Sequence, residues 1–228
     1  MTAVSVAPAL LGADPLDLRT AIDHIQHSPA PYLHLDVMDG HYTSEISFGL
    51  RTIAAIRAHT PMQLDVHLQT LHPERYVEDL IRIGVHRVSI HVDAATDLDS
   101  ALDALQSAGV RKGLVLNPDL GLQTLDPYID RLDFVILMTS APGTSTFDPT
   151  VPDKIRHLRN QLTHRYLDTV ELIADGGITP HTAPPVIAAG IDTLVAASSV
   201  FKSPHHDITT AMRHLAQSGT PAATVPGT

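Results

Sequence analysis

Eight short apolar runs, separated by amphipathic stretches, restrict the fold of this chain more than any other feature of it. The runs are Ala3–Ala9, Tyr32–Val37, Met62–Leu68, Arg87–Val92, Lys112–Leu116, Phe134–Met138, Val170–Ala174 and Thr193–Ala197. Each is rich in β-branched residues or Leu and bounded by turn residues, the pattern of a buried strand. Between two of them, PERYVEDLIRIGV begins with Pro73 at a first helical position, places Tyr76, Val77, Leu80 and Ile81 at helical spacing and stops at Gly84. DLDSALDALQSAGV repeats the design with an acidic first turn and Gly109 past its end, and PPVIAAGI repeats it again with Gly190. Helices that end in glycine and feed a strand through a short connection define a βα repeat. Eight such units in 228 residues predict an α/β chain folded as a (β/α)8 TIM barrel. An open doubly wound sheet is the alternative, because periodicity does not show closure.

That length suits one sizeable core, and residues 1–217 read as a single barrel domain. The remainder, 218–228 (SGTPAATVPGT), is small, polar and rich in Pro and Gly, and reads as a disordered tail without a catalytic role. The formal charge of −10 argues against nucleic-acid partners and anionic membranes. An anionic substrate stays open to such a chain if backbone amides bind it. The absence of cysteine removes disulfide and thiolate chemistry and suits a cytoplasmic location. No apolar run approaches membrane-spanning length and no signal-peptide pattern opens the chain, so a soluble cytoplasmic protein is expected.

The second run, YLHLDVMDGHY, is unusual for a core strand because it alternates. Leu33, Leu35 and Val37 share one face; His34, Asp36 and Met38 share the other. A buried, unpaired charge costs several kcal/mol or is neutralised, so the second face must meet a metal, a partner charge or a wet cleft. In a barrel the active site lies at the C-terminal ends of the strands. There the third run places Asp65, His67 and Gln69 on one face, the sixth ends in Met138 before TSAPGTSTF, and the seventh ends in ADGGI, Ala174 to Ile178. Two imidazoles and two carboxylates converging at such ends form a divalent-metal ligand set, with mixed nitrogen and oxygen donors that suit Zn2+, Mn2+ or Fe2+. Asp65 would then orient one of the imidazoles. Gly176 and Gly177 would let backbone N–H groups approach a phosphate closely. Taken singly, each piece has an ordinary explanation: His-x-Asp as a satisfied core pair, Asp-Gly-Gly as a tight turn, Met38 and Met138 as core fillers. Their joint placement at successive strand ends favours a site.

The chain resembles the ribulose-phosphate 3-epimerase family over nearly the whole predicted barrel. APALLGAD, LHLDVMDGHY with SFGL, DVHL, GLVLNP, Pro142–Gly143, DGGI and VAASSVF follow in family order. The resemblance implies a ribulose-phosphate-binding barrel and a metal-dependent epimerase of carbohydrate metabolism. It would invert C3 of a ketose phosphate, by default D-ribulose 5-phosphate to D-xylulose 5-phosphate of the pentose phosphate route, through a cis-enediolate. It implies one divalent metal held by His34, Asp36, His67 and Asp175, with Asp36 and Asp175 as the acid–base pair. The substrate-contacting set would be Met38, His67, Met138, Gly143, Thr144, Ser145, Thr146, Gly176, Gly177, Ala197 and Ser198, and the assembly a homo-oligomer.

The departures from the family pattern fall at substrate contacts. Ala9 replaces a serine, Gln69 a methionine, Ile173 a polar residue and Ala197 a glycine, while PGTSTF replaces a glycine-rich phosphate loop of which only Gly143 survives. Thr144, Ser145 and Thr146 offer hydroxyls in its place. Two further readings therefore stand beside the first: an epimerase or isomerase for another sugar or sugar phosphate in a specialised pathway, and a non-catalytic scaffold on the same barrel.

Overall fold

The computed structural model describes residues 4–205 and 207–219. Eight parallel strands occur in the order β1-β8-β7-β6-β5-β4-β3-β2. They are β1 (Ser5–Pro8), β2 (Leu33–Met38), β3 (Leu64–Gln69), β4 (Arg87–His91), β5 (Arg111–Leu116), β6 (Phe134–Met138), β7 (Glu171–Asp175) and β8 (Thr193–Ala196). A parallel bridge from Ala9 to His34 joins the two ends of this sheet, so the closed barrel holds and the open sheet does not. The helices between strands are α1 (Leu18–Ile25), α2 (Leu50–His59), α3 (Glu74–Ile83), α4 (Leu98–Ser107), α5 (Val151–His164) and α6 (Ala183–Ala188), with α7 (Ser198–Phe201) and α8 (Ile208–Gln217) after β8.

One unit of the repeat departs from expectation. Between β5 and β6 there is no α-helix but two 3-10 turns, Leu122–Leu125 and Ile129–Arg131. Pro118, Gly121 and Pro127 punctuate that stretch, which removes N–H donors and adds backbone freedom where a helix would need neither. Elsewhere the terminators act as read: Gly84 closes α3 at φ 83°, a left-handed conformation that costs a glycine little. The tail reading concerns residues that, apart from Ser218 and Gly219, lie outside those described.

All six residues of β2 are buried, so its two faces differ in partner rather than in exposure. Leu33, Leu35 and Val37 point outward into one apolar layer with Ile22 and Ile25 of α1, Ile53 and Ile56 of α2, and Val77 and Leu80 of α3. The barrel interior is divided. Ala7, Ala9, Val115, Phe134, Ile136, Met138, Ile173 and Val195 form an apolar side contributed by β5 to β8 and the β1 end. The opposite side, from β2 to β4, buries His34, Asp36, Asp65, His67, Gln69, Arg87, Ser89 and His91. Polar groups removed from water must find one another there, and strand register decides which do.

Candidate metal centre and substrate cavity

The β2–β3 register sets His34 beside Asp65, Asp36 beside His67 and Met38 beside Gln69. His34 Nδ1 lies 2.8 Å from Asp65 Oδ2, which turns Nε2 toward the barrel axis. Asp175, the last residue of β7, reaches the same point from across the mouth. Its Oδ2 is 3.6 Å from His34 Nε2 and 3.2 Å from His67 Nδ1. Asp36 Oδ1 is 3.4 Å from each of the same two nitrogens and accepts a hydrogen bond from Gln69 Nε2 at 2.9 Å. One donor atom from each of His34, Asp36, His67 and Asp175 falls within 4.8 Å of the others.

Two observations show that this set fits a divalent cation. Among the described residues, His34 Nε2 and Asp175 Oδ2 are buried without a hydrogen-bond partner, although such atoms are rarely left so. Both point at the shared centre. The electrostatics agree. Burial alone would push the His34 imidazole down, but the carboxylates of Asp36 and Asp65 outweigh it and hold it well above the ordinary histidine value. Burial likewise opposes the charge on His67, and Asp175 and Asp36 hold it above its usual value. Asp36 would be raised by burial, yet the two imidazoles keep it well below the carboxylate range. Two carboxyl groups facing two imidazoles make a site that positive charge would stabilise, whether from imidazole protons or from a divalent cation in their place.

Behind His34, Asp65 is itself held. Its Oδ1 accepts from Arg87 Nε at 3.2 Å, and Arg87 and His34 together keep its carboxyl below the ordinary value against the effect of burial. The Arg87 guanidinium lies between the rings of Tyr32 and Phe134, 4.0 and 4.2 Å from their centroids, and Nη1 donates to Glu171 Oε2 at 2.8 Å. Cation, carboxylate and imidazole thus form a column rising from the barrel interior to the cluster.

Above the cluster opens a cavity of about 610 Å³. Its walls include Asp36, Met38, Met138, Gly143, Thr144, Ser145, Asp175, Gly176, Gly177, Ala197 and Ser198, and also the departing residues Ala9 and Gln69. His67 is fully buried beneath that wall rather than part of it. Thr146 lines a neighbouring cavity of about 990 Å³ instead. Thr144 is partly spoken for, because its hydroxyl donates to the Ala141 carbonyl at 2.8 Å. Gly176 and Gly177 take φ of 105° and 62°. A Cβ on the first would collide with Ser140 Oγ, and on the second with the Ser145 carbonyl oxygen. Close approach of the PGTSTF loop to the β7 turn therefore requires Gly177, and close approach of Ser140 at the β6 end requires Gly176.

Sequence reasoning missed Leu11, Glu45, Ile178 and Lys202 on this wall, which sit on loops and short turns where no periodicity constrains a reading. It also missed His91, whose Nε2 is 2.9 Å from His67 Nε2. A signal for it exists: IHVD, Ile90 to Asp93, repeats the spacing of LHLD, Leu33 to Asp36.

Together these features define a barrel enzyme with a buried imidazole–carboxylate cluster that could hold a metal ion, under a polar cavity at the C-terminal ends of its strands. The model of the ribulose-phosphate 3 epimerase family matches residues 5–201. The chain belongs to that family. It is 35% identical over 200 residues to a ribulose-phosphate 3-epimerase of Bacillus subtilis (strain 168), covering 87% of this chain and 92% of that one. With a Synechocystis protein of the same name the identity is 36% over 208 residues, 89% of this chain and 90% of the relative. The chloroplastic ribulose-5-phosphate-3-epimerase of Arabidopsis thaliana shares 32% over 225 residues, 96% and 79%. Among solved structures, a mutant tryptophan synthase alpha-subunit from Pyrococcus furiosus superposes with a TM-score of 0.65 at 14% identity, covering 94% of this chain and 97% of that chain, a likeness of fold alone. Among the described residues no helix is long and apolar enough to cross a membrane.

Proposed function

We propose that this chain is a metal-dependent epimerase that inverts C3 of a ketose phosphate, with D-ribulose 5-phosphate and D-xylulose 5-phosphate as the default pair. The observation that carries the reading is the convergence of Asp36 and Asp175 from two different strands on one point under the cavity, with His34 and His67 beside them. His34, Asp36, His67 and Asp175 would hold the ion. When bound, a divalent cation supplies Lewis-acid stabilisation of the negative charge that develops on the sugar oxygens when C3 loses its proton.

Inversion needs one acid–base group on each face of a planar enediolate, one ionised and one protonated. Asp36, kept ionised by its imidazole neighbours, removes the C3 proton from one epimer. Asp175 returns a proton to the opposite face, and the two exchange roles for the reverse reaction. Backbone amides of the Gly176–Gly177 bend, which lines the cavity together with Ser198, would cradle the substrate phosphate. Excluding water from this cavity falls to the PGTSTF loop, which packs against Gly177. A cysteine-free composition supports a cytoplasmic location, and family membership supports a homo-oligomer.

The test is C3–H exchange in D2O, followed by NMR, with metal-replete protein and a panel of phosphorylated and free ketoses. Exchange with inversion of D-ribulose 5-phosphate is expected. Exchange with another sugar only would move the specificity to PGTSTF and leave the chemistry in place. No exchange with any ketose would favour the scaffold reading.

A further inference from the structure

The β4 end carries a buried polar group that the chemistry above does not use. We propose that Tyr42, anchored by Asp93 and Asn117, acts through His91 to fix which ring nitrogen His67 presents to the metal; the inference rests on the metal-centre reading above. Tyr42 and His91 are positioning residues in this scheme and touch no substrate.

The direction of the chain is set at its far end. A carboxylate accepts and does not donate, so Asp93 Oδ1 receives the Tyr42 hydroxyl proton at 3.0 Å. With its one proton committed, the phenolic oxygen accepts twice, from Asn117 Nδ2 at 2.7 Å and from His91 Nδ1 at 2.9 Å. Asn117 Nδ2 also donates to Asp93 Oδ2 at 3.2 Å, which braces the carboxylate. His91 therefore carries its proton on Nδ1. Its Nε2 faces His67 Nε2 at 2.9 Å, and two N–H groups cannot share one such contact. His91 Nε2 is thus the acceptor and His67 Nε2 the donor. His67 Nδ1 is left as the ligand atom, facing Asp175 Oδ2 and Asp36 Oδ1 at 3.2 and 3.4 Å.

Packing holds the rings in this arrangement. His91 is fully buried, its ring stacked on His67 with centroids 5.0 Å apart and 19° between planes, and the tilted Tyr42 ring has its centroid 4.7 Å from that of His91. Asp65 does the same for His34 by a direct hydrogen bond; for His67 the carboxylate acts through two intermediaries. A metal-bound imidazole whose second nitrogen has an acceptor is oriented and made more basic, and losing such a partner weakens metal binding about 10- to 100-fold.

The experiment measures Zn2+ affinity without sugar for the parent, Tyr42→Phe, His91→Leu and His91→Gln, with long-range 1H–15N correlation of the histidine rings in the zinc-loaded proteins. Tyr42→Phe keeps the half-buried ring and removes only the hydroxyl, so the fold survives. It and His91→Leu should bind zinc about tenfold or more weakly. His91→Gln restores an acceptor for His67 Nε2–H through its amide oxygen and should bind within about threefold of the parent. If the chain only filled space, apolar His91→Leu would be the better tolerated of the two. Parent-like affinity and an unchanged His67 ring pattern in both Tyr42→Phe and His91→Leu would overturn the proposal. A parent whose His67 resonances do not respond to zinc would overturn the metal centre itself, and the relay with it.

Discussion

Replacing Arg87 by Met tests whether the interior column of charge holds the barrel together. The side chain is 1% exposed and meets four groups at once: the Tyr32 and Phe134 rings and the carboxylates of Asp65 and Glu171. Methionine can keep much of the contact with the rings but takes the cation from the fully buried Asp65 carboxylate and from the half-buried Glu171. Removing one partner of a buried ion pair costs about 3–5 kcal/mol, most of it the penalty on the charge left behind. For a chain of 228 residues, each kcal/mol moves the melting temperature by about 2–4 °C, so Arg87→Met should melt roughly 6–20 °C below the parent at neutral pH. Thermal and urea unfolding of metal-free protein would measure it. The sign with pH is fixed as well. Asp65 is held below its ordinary value of 3.8, so its contribution is present above that pH and is lost as pH falls through the lower folded value. The gap between parent and variant should therefore narrow in acid. Arg87→Met/Glu171→Met, which removes one stranded carboxylate, should recover part of the loss. A single variant within about 1 kcal/mol of the parent would refute the reasoning.

Asp36→Asn and Asp175→Asn should each lower kcat by about 10²- to 10⁴-fold while the barrel melts as a folded protein; activity within about tenfold of the parent for either would remove the two-base assignment. Zn2+ should bind more tightly as pH rises above the ordinary histidine value of 6.5, with proton release seen by calorimetry in buffers of different ionisation enthalpy, because the raised His34 and His67 must lose protons to coordinate. A pH-independent affinity would contradict that assignment. Gly177→Ala forces a Cβ into the Ser145 carbonyl at φ 62° and should displace the PGTSTF loop, lowering kcat/KM on the order of 10²-fold with zinc affinity unchanged. Equal loss of zinc binding would mean that the turn serves the metal cluster instead.

Phe134–Met138 matches its predicted strand to the residue, and the other strands shift by one or two at their ends, because an apolar run between turn residues has one way to be buried. The (β/α)8 repeat was legible for the same reason, and failed only where Pro118, Gly121 and Pro127 replace a helix by 3-10 turns. His34 and Asp36 were legible as one face of a strand from the period of two alone. Their meeting with His67, Asp175 and Asp65 was read from strand-end placement and the family resemblance, but which atoms face one another was not, since register between β2 and β3 is a property of the assembled sheet. Arg87 opens an apolar run, where a single charge gives no sign of whether it points to water or to the core. Glu45 and Lys202 come from loops, and Tyr42 joins the site only indirectly, through His91 to His67.

The charge of the cavity constrains how the parts depend on one another. Its wall carries the carboxylates of Asp36, Glu45 and Asp175 against the single cation of Lys202. The chain as a whole carries −10, so no long-range field draws an anion toward this mouth. A sugar phosphate therefore meets net repulsion unless positive charge is placed at the cluster. Protons on His34 and His67 offset part of it, but they sit below the wall on fully buried rings. A divalent ion in their place would bring its charge to the cavity floor, next to Asp36 and Asp175, while the Gly176–Gly177 turn on the same wall would meet the phosphate end. On the proposed reading, metal and anionic substrate are coupled through this electrostatic balance as well as through the chemistry at C3. On that reading the carboxylate pair that would move the proton would also make the metal necessary for the substrate to approach.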